Sequence, residues 1–391
     1  MINQYVYELG ANGSVIRDLA AYGAERAKVV GAENVFDFTI GNPSIPTPQA
    51  ITDTVLDIMR NTEPVAIHSY TSAVGEFETR KAIADDLNAR FGTDVVPGEL
   101  FIGCGSSPEL VAVFRALSAP DAEFLAIAPY FPEYKIYVEE VGCRFKVVPP
   151  DIPSFQIRLE AVEAAITEKT VAIIVNSPSN PAGTVYTEQT LRALADLLER
   201  KAAQFGHPIY IVSDEPYREL TYGVETPFVP NLYRDTVVCY SYSKSLSLPG
   251  ERIGYVYVPR QATDGEKLYA AVCGAARVYG HICAPSLWQK VIARCAGQMP
   301  DLTPYDRNRR ALYEGLTALG YEMPMPDGAF YMFVKAPGGD ANAFLEKAKK
   351  RDVLFVPGDG FGCPGYFRLC YCVEYDKILR SLPAFKALIE E

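Results

Sequence analysis

Histidine is nearly missing: His68, His207 and His281 are the only three in 391 residues, and they stand far apart. A histidine-built metal site or a Ser-His-Asp triad therefore has almost no material, and no metal site is expected. Cysteine occurs nine times but never as C-x-x-C, mostly inside apolar runs, so a disulfide framework is not expected. No secretory signal pattern is visible at Met1-Ile2-Asn3-Gln4, which makes reduced thiols and a cytoplasmic location the expectation. Runs of basic residues are absent. The 37 Lys and Arg are interleaved with 48 Asp and Glu for a net charge of -11, which argues against a nucleic-acid groove or a membrane-surface patch. No apolar stretch reaches the roughly 18 to 20 residues that span a bilayer. Gly-rich phosphate motifs are incomplete: Gly103-Cys104-Gly105-Ser106-Ser107-Pro108 lacks both the G-K-[ST] ending and the third glycine of G-x-G-x-x-G. That absence disfavours a dinucleotide-dependent dehydrogenase.

What is present suits a large globular enzyme. With 49% hydrophobic and 22% charged residues, the chain can bury a sizeable core and divide into two domains. Residues 1–45 read as an extended N-terminal arm, a helix from Ser14 to Val30 and a strand from Asn34 to Ile40, contributing to a small domain. Residues 46–290 alternate helices, one of them expected from Gly75 to Phe91, with short apolar strands, the pattern of an α/β domain around a mostly parallel seven-stranded sheet with helices on both faces. Residues 291–391 read as a connector helix and an α+β unit, with one strand over Val353 to Val356, that joins the N-terminal segment.

In such sheets ligands gather where strands end and helices begin. Lys244 lies in Ser241-Tyr242-Ser243-Lys244-Ser245, just past the apolar strand Thr236 to Tyr240. Desolvation there lowers a lysine's pKa and frees its amine to attack an aldehyde. Arg252 and the hydroxyls of Ser241, Ser243 and Ser245 could converge on a phosphate, although a solvated loop with an ordinary lysine explains the same run. Asp214 ends the strand Ile209 to Val212, three residues before Tyr217. A buried carboxylate needs a cationic partner, either a pyridinium nitrogen or, as the structural alternative, Arg218. Asn176 and Asn180 sit in a rigid polar loop after another strand, and Pro129-Tyr130-Phe131-Pro132 offers an aromatic face for a flat ring. Arg368 interrupts the apolar run Phe367 to Val373, which is costly unless it meets a substrate carboxylate or an internal acid.

In order and spacing these motifs resemble the class I/II aminotransferases, a family of fold-type I pyridoxal-phosphate enzymes of which aspartate aminotransferase is one. The likeness rests on Tyr70 with Gly75, Gly105-Ser106-Ser107, Pro129-Tyr130-Phe131, Asn180-Pro181-Ala182-Gly183, Asp214 with Tyr217, Ser241-Tyr242-Ser243-Lys244 with Arg252, Pro357 to Gly362, and Phe367-Arg368. It implies pyridoxal 5'-phosphate as cofactor and a ping-pong exchange of an amino group between an amino acid and a 2-oxo acid. Under it, Lys244 carries the cofactor as a Schiff base, Asp214 pairs with the ring nitrogen, and Tyr217 and Asn180 bond the ring oxygen. Phe131, or else Tyr130, stacks on the ring. The phosphate rests on the Gly105-Ser106-Ser107 turn, Ser241, Arg252 and Tyr70 of a second subunit, which makes the chain a homodimer. Arg368, assisted by Gly41 and Asn180, grips the substrate α-carboxylate. Where the family usually has a glutamine, this chain has Ser107-Pro108. Arg277 lies near where dicarboxylate-specific relatives place an arginine from the neighbouring subunit, so aspartate or glutamate is the expected donor, a surface arginine being the alternative. A C-S β-lyase or another fold-type I reaction would use the same lysine and aspartate.

Overall fold

The structure is a computed structural model and describes residues 2–390. Strand β1 (Phe36–Asp37) is only two residues long, shorter than the strand expected from Asn34 to Ile40, because Ala32–Asn34 form a 3-10 turn before it. Seven strands then build the central sheet: β2 (Leu100–Gly103), β3 (Glu123–Ile127), β4 (Arg144–Val148), β5 (Thr170–Asn176), β6 (Tyr210–Asp214), β7 (Thr236–Ser241) and β8 (Gly254–Tyr257). Their order is β2-β8-β7-β6-β5-β3-β4, and only β8 runs against its neighbours.

The sheet is buried on both faces, which is why its strands read as continuous apolar runs. Successive side chains point to opposite faces. Phe124 and Ala126 of β3 join one core with Ala172 and Ile174 of β5, whereas Leu125 and Ile127 join a second core with Ile173 and Val175. The helix Glu188–Phe205 covers that second face. Thr187 caps it by accepting from the Thr190 N–H at 3.1 Å, and Leu191, Leu194 and Leu198 turn inward. Complete burial of such a leucine contributes about 2 kcal/mol.

The remaining strands, β9 (Tyr331–Lys335), β10 (Val353–Leu354), β11 (Val356–Pro357) and β12 (Tyr366–Cys370), make the smaller α+β unit. The single strand expected over Val353 to Val356 divides: β10 pairs with β1, while β11 pairs with β12 in a sheet ordered β11-β12-β9. That sheet's core draws Leu19 and Phe38 from the amino-terminal part together with Leu312, Phe333 and Phe385 from the carboxy-terminal part. Tyr217 and Leu220, which follow β6, reach into the same core, so the two units meet at the carboxyl edge of the large sheet.

Local chemistry accounts for two further departures. The amino-terminal arm is not extended: Gln4–Ala11 form a helix whose first turn is capped by the Asn3 side chain, and none of its residues is buried. The helix expected from Gly75 begins at Phe77 because Gly75 stands at φ +98°. A side chain there would also collide with Ile102, so only glycine fits.

Candidate active site

The carboxyl ends of β5, β6 and β7 place Asn176, Asp214 and Ser241 along one edge of the sheet. Asn176 and Asp214 are direct register partners. In front of them lies a cavity of about 400 Å³. Ser106, Ser107, Phe131, Asn180, Asp214, Tyr217, Ser241, Lys244, Arg252, Arg368 and Gly41, all singled out from the sequence, line it together.

Asp214 is 4% exposed. The Tyr134 hydroxyl donates to its Oδ2 at 2.5 Å, and the Asn176 side-chain amide donates to its backbone carbonyl at 2.8 Å. Its Oδ1 is buried without a partner. Burial pushes the carboxyl from 3.8 up to about 7, against the downward pull of the Tyr134 hydrogen bond. Arg218 does not supply the missing cation, because it pairs with Glu215 and donates to the Tyr255 hydroxyl at 2.9 Å. An oxygen left free beside a cavity fits a cationic N–H donor, which a protonated pyridine ring provides.

Lys244 is set by the short helix Tyr242–Ser245 that begins where β7 ends. The Ser241 hydroxyl accepts from the Ser243 N–H at 3.2 Å and fixes the turn. The Lys244 ammonium donates to the Gly41 carbonyl at 2.8 Å. Burial lowers its pKa, and the Arg252 and Arg368 charges add to that effect. A lysine held in this way is primed to act as an amine.

Gly105 has φ +92°, and a Cβ there would come within 2.7 Å of the Arg252 guanidinium. The absent side chain leaves a cradle between that guanidinium and the first turn of the helix Ser106–Ala116, whose free N–H groups favour an anion. Arg252 donates to the Ser243 hydroxyl at 3.3 Å, and the Ser243 and Ser241 hydroxyls are 2.8 Å apart. Fork, hydroxyls and helix terminus together fit a phosphate.

Arg368 is 2% exposed on β12. It donates to the Asn180 side-chain oxygen at 2.9 Å and to the Thr39 carbonyl at 2.5 Å, with its guanidinium over the Tyr331 ring at 4.7 Å. Among the described residues no carboxylate pairs with it, which removes the internal-acid alternative, and its Nε has no partner. Asn180 thus braces Arg368. The Tyr217 hydroxyl shares a 2.8 Å hydrogen bond with that of Tyr331.

Three sequence candidates lie elsewhere. Tyr130 packs edge-on against Phe145 at 5.1 Å, leaving Phe131 as the aromatic of this pair on the cavity wall. Tyr70 is 96% exposed and lies in a separate cleft with His68 and Cys283. Arg277 is exposed near the end of the helix Gly265–Val278 and does not line the cavity. Tyr134, Tyr331 and Arg17 were not foreseen. For Tyr134 a signal existed, since Pro132-Glu133 is a helix-start pattern and the helix Glu133–Glu140 places Tyr134 one residue in.

The chain is similar in sequence and in structure to known aminotransferases. The family model described as aminotransferase class I and II matches residues 33–382. The chain is 30% identical to a probable aspartate/prephenate aminotransferase of Aquifex aeolicus, over 94% of this chain and 93% of that protein. Among solved structures, an amino transferase from Eubacterium rectale superposes with a TM-score of 0.98 at 53% identity, covering 100% of this chain and 98% of that one. The aspartate aminotransferase of Thermus thermophilus, solved with maleate, gives 0.85 at 27% identity with 99% of each chain covered.

Proposed function

From the premise that the chain belongs to the aminotransferase class I and II family, and is therefore a pyridoxal-phosphate-dependent aminotransferase, we propose that it takes the amino group from aspartate or glutamate. We assign the residue roles as follows. The observation that carries the assignment is the buried, unpartnered Oδ1 of Asp214 beside the cavity that Lys244 enters.

When bound, pyridoxal phosphate supplies an aldehyde carbon to carry the amino group and a ring that accepts the electron pair left at the substrate Cα. Lys244 would hold the cofactor covalently, and its free amine would move the Cα proton, a task that its lowered pKa suits. Asp214 keeps a proton on the ring nitrogen, steadied by Tyr134 on its other oxygen. Tyr217 and Asn180 would bond the ring oxygen, and Phe131 would cover a ring face, all three lining the cavity. Gly105, Ser106, Ser107, Ser241 and Arg252 would seat the phosphate, joined by Tyr70 of the partner subunit. Arg368, braced by Asn180 and flanked by Gly41, orients the α-carboxylate through its fork.

The names of relatives support the substrate: aspartate aminotransferases of Bacillus subtilis and Thermotoga maritima match this chain at 29% and 26% identity. The exposed Tyr70 and the wholly unburied helix Gln4–Ala11 suit a homodimer, and nine free cysteines suit the cytoplasm. Among the described residues no helix is long and apolar enough to cross a membrane.

A half-reaction screen tests the reading. Aspartate and glutamate are expected to bleach the cofactor absorbance near about 400 nm, set by its conjugation, and to release the matching oxo acids. Bleaching by aromatic or aliphatic amino acids with none by acidic ones refutes the substrate assignment. Breakdown of cystathionine without oxo-acid exchange points instead to β-elimination.

A further inference from the structure

The cavity wall carries four cationic side chains, Arg17, Lys244, Arg252 and Arg368, against the single carboxylate of Asp214. Three of the four are engaged: Lys244 with the Gly41 carbonyl, Arg252 with Ser243 and Pro249, Arg368 with Asn180 and Thr39. Arg17 differs. Among the described residues its side chain has no hydrogen bond or ion pair, while its backbone N–H donates to the Ser14 hydroxyl at 3.4 Å.

Arg17 comes from a different part of the chain than the groups that build the phosphate cradle. Arg17 sits in the first turn of the helix Val15–Val30, and its neighbour Ile16 packs on the core of the smaller unit. It lines the cavity together with Ile16 and Ile40, whereas the cradle is built by the first turn of the helix Ser106–Ala116 and the end of β7. Its charge is felt by Tyr137, whose phenol pKa burial raises while a hydrogen bond with Ser107 and the Arg17 charge oppose that rise.

We infer that Arg17 is the specificity-determining residue that binds the side-chain carboxylate of an acidic amino acid, with Ile16 and Ile40 against its methylenes. The assignment rests on the acidic-substrate reading above and names the residue responsible. A guanidinium presents a planar fork that matches a carboxylate, and this one gives up no protein partner on binding. With Arg368 on the α-carboxylate, the two arginines hold both ends of the substrate and leave Cα before Lys244. The residue is contributed by the same chain, unlike Arg277, which would have to come from a second copy.

The test compares holoenzyme with Arg17→Met and Arg17→Lys, both of which preserve helix propensity. Two readouts are taken: calorimetric binding of succinate, a dicarboxylate without an amino group, and the ratio of kcat/KM for aspartate to that for alanine. Arg17→Met is expected to weaken succinate binding and lower the ratio by about 10- to 100-fold, mainly through KM, with partial recovery in Arg17→Lys. Equal loss for aspartate and alanine, with thermal stability falling in parallel, assigns Arg17 a structural role and overturns the inference. So does unchanged succinate binding in Arg17→Met, above all if Arg277→Met loses it, and in that case the acidic-substrate reading survives. A wild-type enzyme that neither binds succinate nor accepts acidic amino acids overturns both.

Discussion

Replacing Tyr134 with phenylalanine removes one hydroxyl from behind Asp214 while keeping the ring edge-on to Phe131 at 5.5 Å. That hydroxyl supplies the one hydrogen bond to the carboxylate oxygens of Asp214, whose other oxygen is unpartnered. In the cofactor-free protein the carboxyl stands at about 7 rather than 3.8, chiefly through burial. The folded state therefore binds this proton more tightly than the unfolded chain does. Its contribution to stability is complete below pH 3.8 and is lost as pH rises through 7, a loss of about 4 kcal/mol in all. A hydrogen bond to a charged carboxylate contributes about 1.5 to 3 kcal/mol, so its removal lifts the folded-state pKa by about one to two further units. The stability difference between wild type and Tyr134→Phe should then be level below neutral pH and widen as pH rises above 7. Denaturant unfolding of both apoproteins from pH 5 to 9 measures it. Cofactor, by placing a cation at Oδ1, should remove much of the decline in both. A difference curve that stays level to pH 9 would show that Tyr134 does not act on the ionised form of Asp214.

Three other substitutions follow from the geometry. Arg368→Met leaves the Asn180 oxygen and the Thr39 carbonyl without their donor, and should lower kcat/KM for every amino acid by about 10² to 10³, largely through KM; an unaltered KM would refute its role as carboxylate clamp. Gly105→Ala puts a Cβ 2.7 Å from the Arg252 guanidinium at φ +92°, at a cost of about 1 to 2 kcal/mol, so titration of the apoprotein should show about tenfold weaker cofactor binding. Tyr70→Phe changes a side chain that is 96% exposed on its own chain, yet cofactor affinity should drop several-fold if a second copy seats that hydroxyl at the phosphate; unchanged affinity in a protein that sediments as a dimer counts against the shared site.

The sheet was legible because a strand buried on both faces must be apolar throughout, and Val171 to Val175 or Val237 to Tyr240 leave no other reading. Chemistry at the strand ends was legible for the related reason that polar residues there interrupt the apolar run: Asp214, Asn180 and Lys244 all follow such strands and all reach one cavity. The small unit was read less well. Its strands are two residues long at β1, β10 and β11, too short to leave a period, and their pairing joins positions more than 300 residues apart in β1 and β10. Gln4–Ala11 misled for another reason. Its apolar residues, Tyr5, Val6 and Leu9, are exposed on this chain, so no buried face marks it as a helix.

Tyr134 and Arg17 escaped because neither interrupts a pattern. Each sits near the start of an ordinary amphipathic helix, and each matters for what lies opposite rather than for what lies beside it in the chain. Arg368 shows the converse, since a charge inside the apolar run of β12 stands out in the sequence itself as a candidate for an internal acid or a ligand, and among the described residues no acid pairs with it. Its two Nη donors are already used to brace it against Asn180 and Thr39, while its Nε remains free. A guanidinium has five N–H donors, so a carboxylate that takes the remaining ones leaves both bonds of the brace intact. The clamp is thus rigid before substrate arrives, which keeps the ordering cost of binding low. Arg17, exposed and unbraced, has that cost still to meet, so it should discriminate among side chains more than it adds to the grip on the α-carboxylate.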